Sequence, residues 1–272
     1  MHQILKKEKL AENIYLMEIE APDIAKKARA GQFVILRIDE NAERIPLTIV
    51  DAGKKAVTII FQAVGRTTND LAKLRKGNAI PDFTGPLGNP ARIQEFGHVC
   101  LVGGGVGAAE VYPVAREMKK AKNQVTIIFG TKTKKLLFWE DRLKKVSNRL
   151  IICTDDGSKG KKGFVTNALK DLMEKEHIDY VVAIGPTIMM RFISKLTKDR
   201  IKTAVSLNPI MVDGVGMCGS CRVVIDGRVK FACVDGPEFN GHEVDWDELL
   251  NRNKLYLNEE EVCKQQNCTR QK

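Results

Sequence analysis

The chain of 272 residues predicts a multidomain α/β plus β protein: an antiparallel β-barrel, then a parallel α/β sheet domain, then a small cysteine-bearing segment. Three observations predict it. Short β-rich runs follow one another closely across residues 1–95, divided by turn residues. Across 96–208, apolar strand-like runs alternate with helix-length segments. Within 209–272, glycines and three cysteines crowd into one stretch.

In the first module, Ile14–Ile19, Gln32–Ile38 and Ala56–Gln62 read as strands, and turns such as Asp51–Gly53 separate them. Short strands at this spacing fit a small antiparallel barrel. A short helix is expected over Thr68–Leu74, with Thr67 or Thr68 as its cap. Two places suit a phosphorylated ligand. At Arg44, Pro46, Leu47 and Thr48, the guanidinium offers a planar donor fork, the proline stiffens the turn, and the threonine hydroxyl can bond a ring heteroatom. At Gly65, Arg66, Thr67 and Thr68, the start of the expected helix presents free amides to an anion. Either motif taken alone also fits an ordinary turn.

The second module opens on His98–Val102, an apolar strand. Gly103, Gly104, Gly105 and Gly107 follow, and a helix is expected from Ala108 and Glu110 through Met118. Strand, glycine turn, helix is the context in which a dinucleotide fingerprint carries meaning. The next strand, Val125–Phe129, ends in Gly130–Lys132 and supplies no acidic residue for a ribose hydroxyl, a departure from the standard Rossmann unit. Lys132, Lys134 and Lys135 near this end suit either a 2′-phosphate or plain solvent exposure. Leu150–Thr154 leads into Asp155, Asp156, Gly157 and Ser158, a ligand contact or a simple turn. Tyr180–Ile184 ends in Gly185 and Pro186, and Met189 and Met190 are expected to begin a helix, packing in the core or bordering a ligand. Cys100 and Cys153, inside apolar strands, read as inert core thiols. His98 and His177 lack companions that suggest a metal or a catalytic dyad.

In the third module Asp213, Cys218, Cys221 and Cys233 are spaced D-x4-C-x2-C-x11-C. A plant-type [2Fe–2S] loop runs C-x4-C-x2-C with a distant fourth cysteine. Asp213 therefore holds the register of the first cysteine, and it is the favoured fourth ligand; Cys263 and Cys268 are the alternatives. Gly214, Gly216 and Gly219 let the backbone wrap closely, with amides turned inward. A carboxylate is a harder donor than a thiolate, so the redox potential is expected to differ from that of an all-cysteine cluster. Three cysteines with one C-x-x-C pair also suit zinc.

Composition narrows the class. The formal charge is +10, but the Lys/Arg excess lies in short scattered runs such as Lys119–Lys120 and Lys161–Lys162, with no aromatic ladder or nucleic-acid motif. Solvated faces account for it, as does attraction of anionic cofactors or an acidic protein. Nucleic acid and membrane are not expected partners, since no run approaches bilayer length. Seven irregularly spread cysteines and no apolar leader argue against a disulfide framework and point to the cytoplasm.

Arg44–Thr48, Gly65–Thr68, Thr84–Gly88 as the exit from the barrel, and the later glycine turn occur in the order that resembles the ferredoxin reductase flavoprotein superfamily. The resemblance implies a flavin-binding barrel and FAD along Arg44, Pro46, Leu47, Thr48, Gln62, Gly65, Thr67 and Thr68. It implies NAD(H) along Gly103, Gly104, Gly105, Gly107, Asp155, Asp156, Gly157, Gly185, Pro186 and Met189. With its short cluster-bearing tail, the chain resembles the electron-transfer subunits of dihydroorotate dehydrogenase B. It resembles still more the small subunits of NADH-dependent reduced ferredoxin:NADP+ oxidoreductases, in which an aspartate at the Asp213 register is the pattern.

That resemblance implies an oxidoreductase subunit moving electrons between NAD(H), FAD and a [2Fe–2S] cluster, with hydride exchange near Thr48 and no acid, base or nucleophile from the protein. It also implies a larger iron–sulfur flavoprotein partner in a heterodimer, through which ferredoxin is served. Gly241–Lys272, with Trp246 and Tyr256 and the nearby Phe239, is expected to dock that partner or to cap the cluster. The competing readings are a dihydroorotate dehydrogenase subunit and a non-catalytic zinc-stabilised interaction module.

Overall fold

The computed structural model describes residues 1–259 and 261–262. Its first part comprises β1 (His2–Ala11), β2 (Ile14–Glu20), α1 (Pro22–Lys27), β3 (Phe33–Arg37), β4 (Ile45–Thr48), β5 (Asp51–Ala52), β6 (Ala56–Gln62), α2 (Arg66–Lys73), β7 (Ala79–Ile80) and β8 (Asp82–Leu87). The strands form two antiparallel sheets, β5-β6-β2-β1-β7 and β4-β3-β8. Ile4, Met17, Ile19, Leu36, Ile59 and Phe61 fill the space they enclose. The barrel expected from the strand spacing is present. Strand β1 has no clear hydrophobic signature because only Ile4 in it is fully buried, and the charged run Lys6–Lys9 occupies its middle.

Helix α2 begins at Arg66, two residues earlier than the sequence suggests, with Gly65 as its cap. The reason is local. Thr68 Oγ1 reaches back and accepts the Val64 and Gly65 amides, each at 3.0 Å. Thr68 thus caps from inside the first turn rather than ahead of it.

The second part comprises β9 (His98–Gly104), α3 (Gly107–Lys120), β10 (Gln124–Thr131), α4 (Glu140–Lys145), β11 (Arg149–Thr154), β12 (Lys161–Lys162), α5 (Val165–Lys175), β13 (Tyr180–Ile184), α6 (Thr187–Thr197) and β14 (Lys202–Ser206). These strands are parallel, and every residue of β9 and β13 is buried, as expected of strands covered on both faces. One face packs on α3 through Val111, Val114 and Met118. The other packs on α5 and α6 through Leu169, Leu172, Met190 and Ile193, and it contains Cys100 and Cys153. Burial pushes both thiols up, Cys153 to about 11, which fits inert core residues. His98 is also a core residue, its ring nitrogens bonded to the His177 carbonyl and the Thr126 hydroxyl. Helix α6 begins at Thr187, ahead of Met189, because Pro186 supplies its cap position.

The last part comprises β15 (Arg222–Ile225), β16 (Arg228–Phe231), α7 (Ala232–Asp235), β17 (Glu238–Asn240) and α8 (Trp246–Arg252). The first two strands make a hairpin. Strand β17 does something the sequence does not announce: it pairs antiparallel with β14 and completes a seven-stranded sheet, β12-β11-β10-β9-β13-β14-β17. Phe239 and Trp246 are half-buried against the core of that sheet, and the Trp246 indole donates to the Gly241 carbonyl at 3.1 Å. Of the three aromatics expected to dock a partner, Tyr256 alone is more than half exposed.

Candidate functional site

The glycine turn lies at the carboxyl end of β9, where open α/β sheets take ligands. Its neighbour in the sheet is β13, so Gly185, Pro186 and Met189 stand beside it. The two turns interlock. A Cβ on Gly104 would lie 2.6 Å from Met189 Sδ and 2.9 Å from Pro186 Cδ, and one on Gly107 would lie 2.5 Å from the Ile184 carbonyl oxygen. Gly105 instead has φ of +57° and nothing within 4 Å of an added Cβ, leaving open backbone that a pyrophosphate can approach. Met190 is core and Met189 faces the turn, which separates the two methionines that the sequence leaves equivalent.

Strand β11 carries Asp155, Asp156 and Gly157 to the same end of the sheet, on the far side of β10. Here the carboxylate is already occupied. Asp156 accepts the Ser158 amide at 2.9 Å and the Ser158 hydroxyl at 2.6 Å, which holds its carboxyl below the usual range. Ser158 Oγ in turn accepts the Lys134 amide at 2.8 Å. The turn reading of Asp156 is therefore realised, and any ligand contact there is additional to it.

On the barrel, Thr48 ends β4 opposite Phe33, and Pro46 and Leu47 precede it, all half-buried. Gln62 closes β6, the strand that leads to α2. Thr67 does not offer its hydroxyl freely, since Oγ1 donates to Glu43 Oε2 at 2.9 Å. With Thr68 engaged in capping, the first amides of α2 are the anion donors left there. Arg44 donates from Nε to the Val212 carbonyl at 2.8 Å, and its Nη1 lies 4.0 Å from Asp82 Oδ2. A guanidinium, a threonine-ended strand and a helix start on one side of the barrel fit a phosphorylated flavin.

Between barrel and sheet lies a residue that the sequence does not single out. Glu110, in the first turn of α3, faces the Thr48 hydroxyl, and burial pushes its carboxyl up to about 7. An acidic residue in a first helical turn is ordinary, so it carries no signal by itself. Two turns further on, Arg116 Nη1 meets Asp51 Oδ1 at 2.8 Å and ties the same helix to β5.

The cysteine loop sits against the barrel. Phe33, Ile35, Met211, Cys221, Ala232 and Cys233 form one small buried core. Among the described residues, no three His, Cys, Asp or Glu side chains gather as a single-ion site. Asp213 Oδ2 accepts the Cys218 amide at 2.6 Å, which keeps the start of the loop beside Cys218, and Cys221 and Cys233 lie together in the small buried core. Asp213 also accepts the Val215 and Met217 amides at 2.9 and 3.0 Å, and these bonds hold its carboxyl below the usual range. The Ser220 hydroxyl and amide lower the Cys218 thiol, while burial beside Cys221 pushes Cys233 up to about 12. The alternative ligands Cys263 and Cys268 lie outside the described residues.

Comparison with known proteins identifies two of these parts. Residues 208–245 match the model of the iron–sulfur cluster binding domain of dihydroorotate dehydrogenase B, and residues 101–195 match the oxidoreductase NAD-binding domain. The chain is 48% identical over 265 residues to a dihydroorotate dehydrogenase B (NAD(+)) electron transfer subunit homolog from Thermotoga maritima, covering 96% of this chain and 94% of that one. It is 34% identical over 249 residues to the dihydroorotate dehydrogenase B electron transfer subunit of Desulforamulus reducens, covering 88% and 95%. A solved NADH-dependent reduced ferredoxin-NADP oxidoreductase, studied for flavin-based electron bifurcation, superposes with a TM-score of 0.92 at 46% identity, covering 98% of this chain and 97% of that one. No helix among the described residues is long and apolar enough to cross a membrane. With the two domain models in the order its topology dictates, the chain belongs to the family of dihydroorotate dehydrogenase B-type electron-transfer subunits, within the ferredoxin-reductase-like oxidoreductases.

Proposed function

We propose that this chain is the NAD(H)-side subunit of a flavin-bifurcating heterodimer that couples NADH and reduced ferredoxin to the reduction of NADP+. The observation that carries this is the near full-length likeness to the NADH-dependent reduced ferredoxin-NADP oxidoreductase, together with a carboxylate at the first position of the cluster loop. Bound FAD would exchange electrons in pairs with NAD(H) and singly with the cluster.

The chain's own residues position these partners. Gly105 leaves open backbone for the NAD(H) pyrophosphate in a turn that Gly103, Gly104 and Gly107 let pack closely, and Gly185, Pro186 and Met189 wall the nicotinamide side. Asp155, Asp156 and Gly157 border the ribose end. Arg44 and the first amides of α2, at Thr67 and Thr68 beside Gly65, take the flavin phosphates, while Pro46, Leu47, Thr48 and Gln62 line its ring. Thr48 and Glu110 hold a hydroxyl and a carboxyl between the two nucleotide sites, at the junction of barrel and sheet. Asp213, Cys218, Cys221 and Cys233 hold the two irons of the cluster. In this reading residues 1–95 form the FAD module, 96–208 the NAD module and 209–272 the cluster module. The larger subunit would carry the bifurcating flavin, further iron–sulfur centres and the NADP(H) site.

Anaerobic purification from the native host tests it. A copurifying large iron–sulfur flavoprotein, with NADP+ reduction that needs both NADH and reduced ferredoxin, is the expected result. A second reading is supported by the names of the relatives and of the cluster-domain model: electron transfer for dihydroorotate oxidation. It requires an FMN dehydrogenase partner and dihydroorotate-dependent NAD+ reduction in the same preparation.

A further inference from the structure

The strands and loops around Arg44 connect two sites that the sequence places 168 residues apart. Val212, whose carbonyl accepts Arg44 Nε, immediately precedes Asp213. Gly214 follows, with φ of +77°, and a Cβ there would lie 2.6 Å from Ile35 Cδ1 and 2.7 Å from Leu87 Cδ1 of the barrel. The cluster loop is therefore seated on β3 and β8, and its polar tether from Arg44 is a backbone carbonyl adjacent to a ligand. On the other side, Glu43 accepts the Thr67 hydroxyl at 2.9 Å, joining the residue before Arg44 to the first turn of α2. A continuous path thus runs from the helix start, through Glu43 and Arg44, to the loop.

The donor count on Arg44 gives this path its meaning. A guanidinium has five N–H groups, fixed in one plane. One is used on Val212. The nearest carboxylate, Asp82, is 4.0 Å from Nη1 and is already bonded to Arg37 Nε at 2.5 Å. The Nη groups are therefore available to an anion while Nε stays on the loop. A lysine has the charge but not this two-sided fork.

We propose that Arg44 is a positioning residue shared by both cofactor sites: its Nη groups grip a flavin phosphate while its Nε fixes the Val212 carbonyl, so that flavin binding orders the ligand loop at Asp213. The proposal rests on the assignment of flavin and cluster made above. Because the coupling is thermodynamic, it is reciprocal in affinity: bound flavin tightens the hold on the cluster, and the intact cluster tightens flavin by the same factor, with slower iron release as the readout of the first.

The test uses the full-length holoprotein, purified without oxygen, and the same protein after reversible flavin removal. Release of iron to a chelator is followed together with the electron paramagnetic resonance spectrum of the reduced cluster. In the wild type, flavin removal is expected to speed iron release on the order of tenfold and to shift the spectrum. In Arg44→Lys, flavin still binds, more weakly, and iron release is the same with and without it. Arg44→Gln provides a second variant, with NADH titration confirming an intact nucleotide domain in each. Equal iron release in both wild-type forms overturns the proposal, as does coupling that survives in Arg44→Lys. Protein that binds neither flavin nor iron removes the cofactor assignment itself, a distinguishable outcome.

Discussion

A methyl group added to Gly104 would collide with Met189 and Pro186, whereas one added to Gly219 in the cluster loop would meet nothing nearer than 3.7 Å. Gly104 needs no unusual backbone angle, but Gly219 has φ of +69°. At Gly104 the nucleotide turn uses glycine because other atoms stand where a side chain would go. At Gly219 the cluster loop uses glycine because the chain must bend left-handed. The first is a demand of packing and is met before any ligand arrives. The second is a demand of backbone path, shared by Gly214 and Gly216, between which and after which the chain turns its amides onto the Asp213 carboxylate.

The largest expected effect is on the loop. Asp213→Ala removes a proposed ligand and leaves three amides without their acceptor, so acid-labile sulfide and the reduced-cluster signal should be lost. Asp213→Cys should keep a cluster with an altered spectrum and potential. A full cluster in Asp213→Ala would shift the fourth ligand to Cys263 or Cys268. Next, Gly104→Val should destabilise the sheet by about 3 kcal/mol through overpacking. Denaturant unfolding measures this, and NADH titration should show binding lost while cluster content holds.

Glu110→Gln comes third. The folded carboxyl ionises near 7, above the ordinary 4.5, so folding favours the neutral acid. Its contribution is complete below about pH 4.5 and is lost as pH rises through 7. The amide variant should therefore gain stability over wild type at pH 8 relative to pH 4.5, on the order of 2 kcal/mol by denaturant melts. Parallel pH curves for the two proteins would mean that Glu110 is ionised in the fold at neutral pH. The smallest effect is expected for Gly219→Ala, about 1 kcal/mol from the left-handed angle, seen as faster cluster loss with NADH affinity unchanged.

The same contrast explains what could be read from the sequence. The parallel strands announce themselves because both faces are buried, which leaves runs such as His98–Val102 and Tyr180–Ile184 apolar throughout. Asp213, Cys218, Cys221 and Cys233 are visible as a spacing, since one short loop carries most of the set. Contacts between distant segments leave no such trace. Glu110 against Thr48 and Arg44 against Val212 depend on how modules pack, and neither partner has a local pattern that reports the other. Strand β17 escapes for a related reason: it is three residues long, and its place beside β14 is set by the tertiary fold. The hydroxyls of Thr67 and Thr68 look free in the sequence, but Glu43 and the helix start claim them.

Strand β17 also bears on how such a chain can be rearranged. The tail leaves the nucleotide sheet at β14, winds over the barrel as the cysteine loop, and returns to zip along the strand it left. Asn89 at the end of the barrel clasps this return through the Gly236 and Val234 carbonyls. The iron-binding tail is therefore not a cassette to be lifted onto another reductase. Cutting it away would bare a sheet margin prone to self-association, so modules of this kind are expected to be exchanged only as one woven unit.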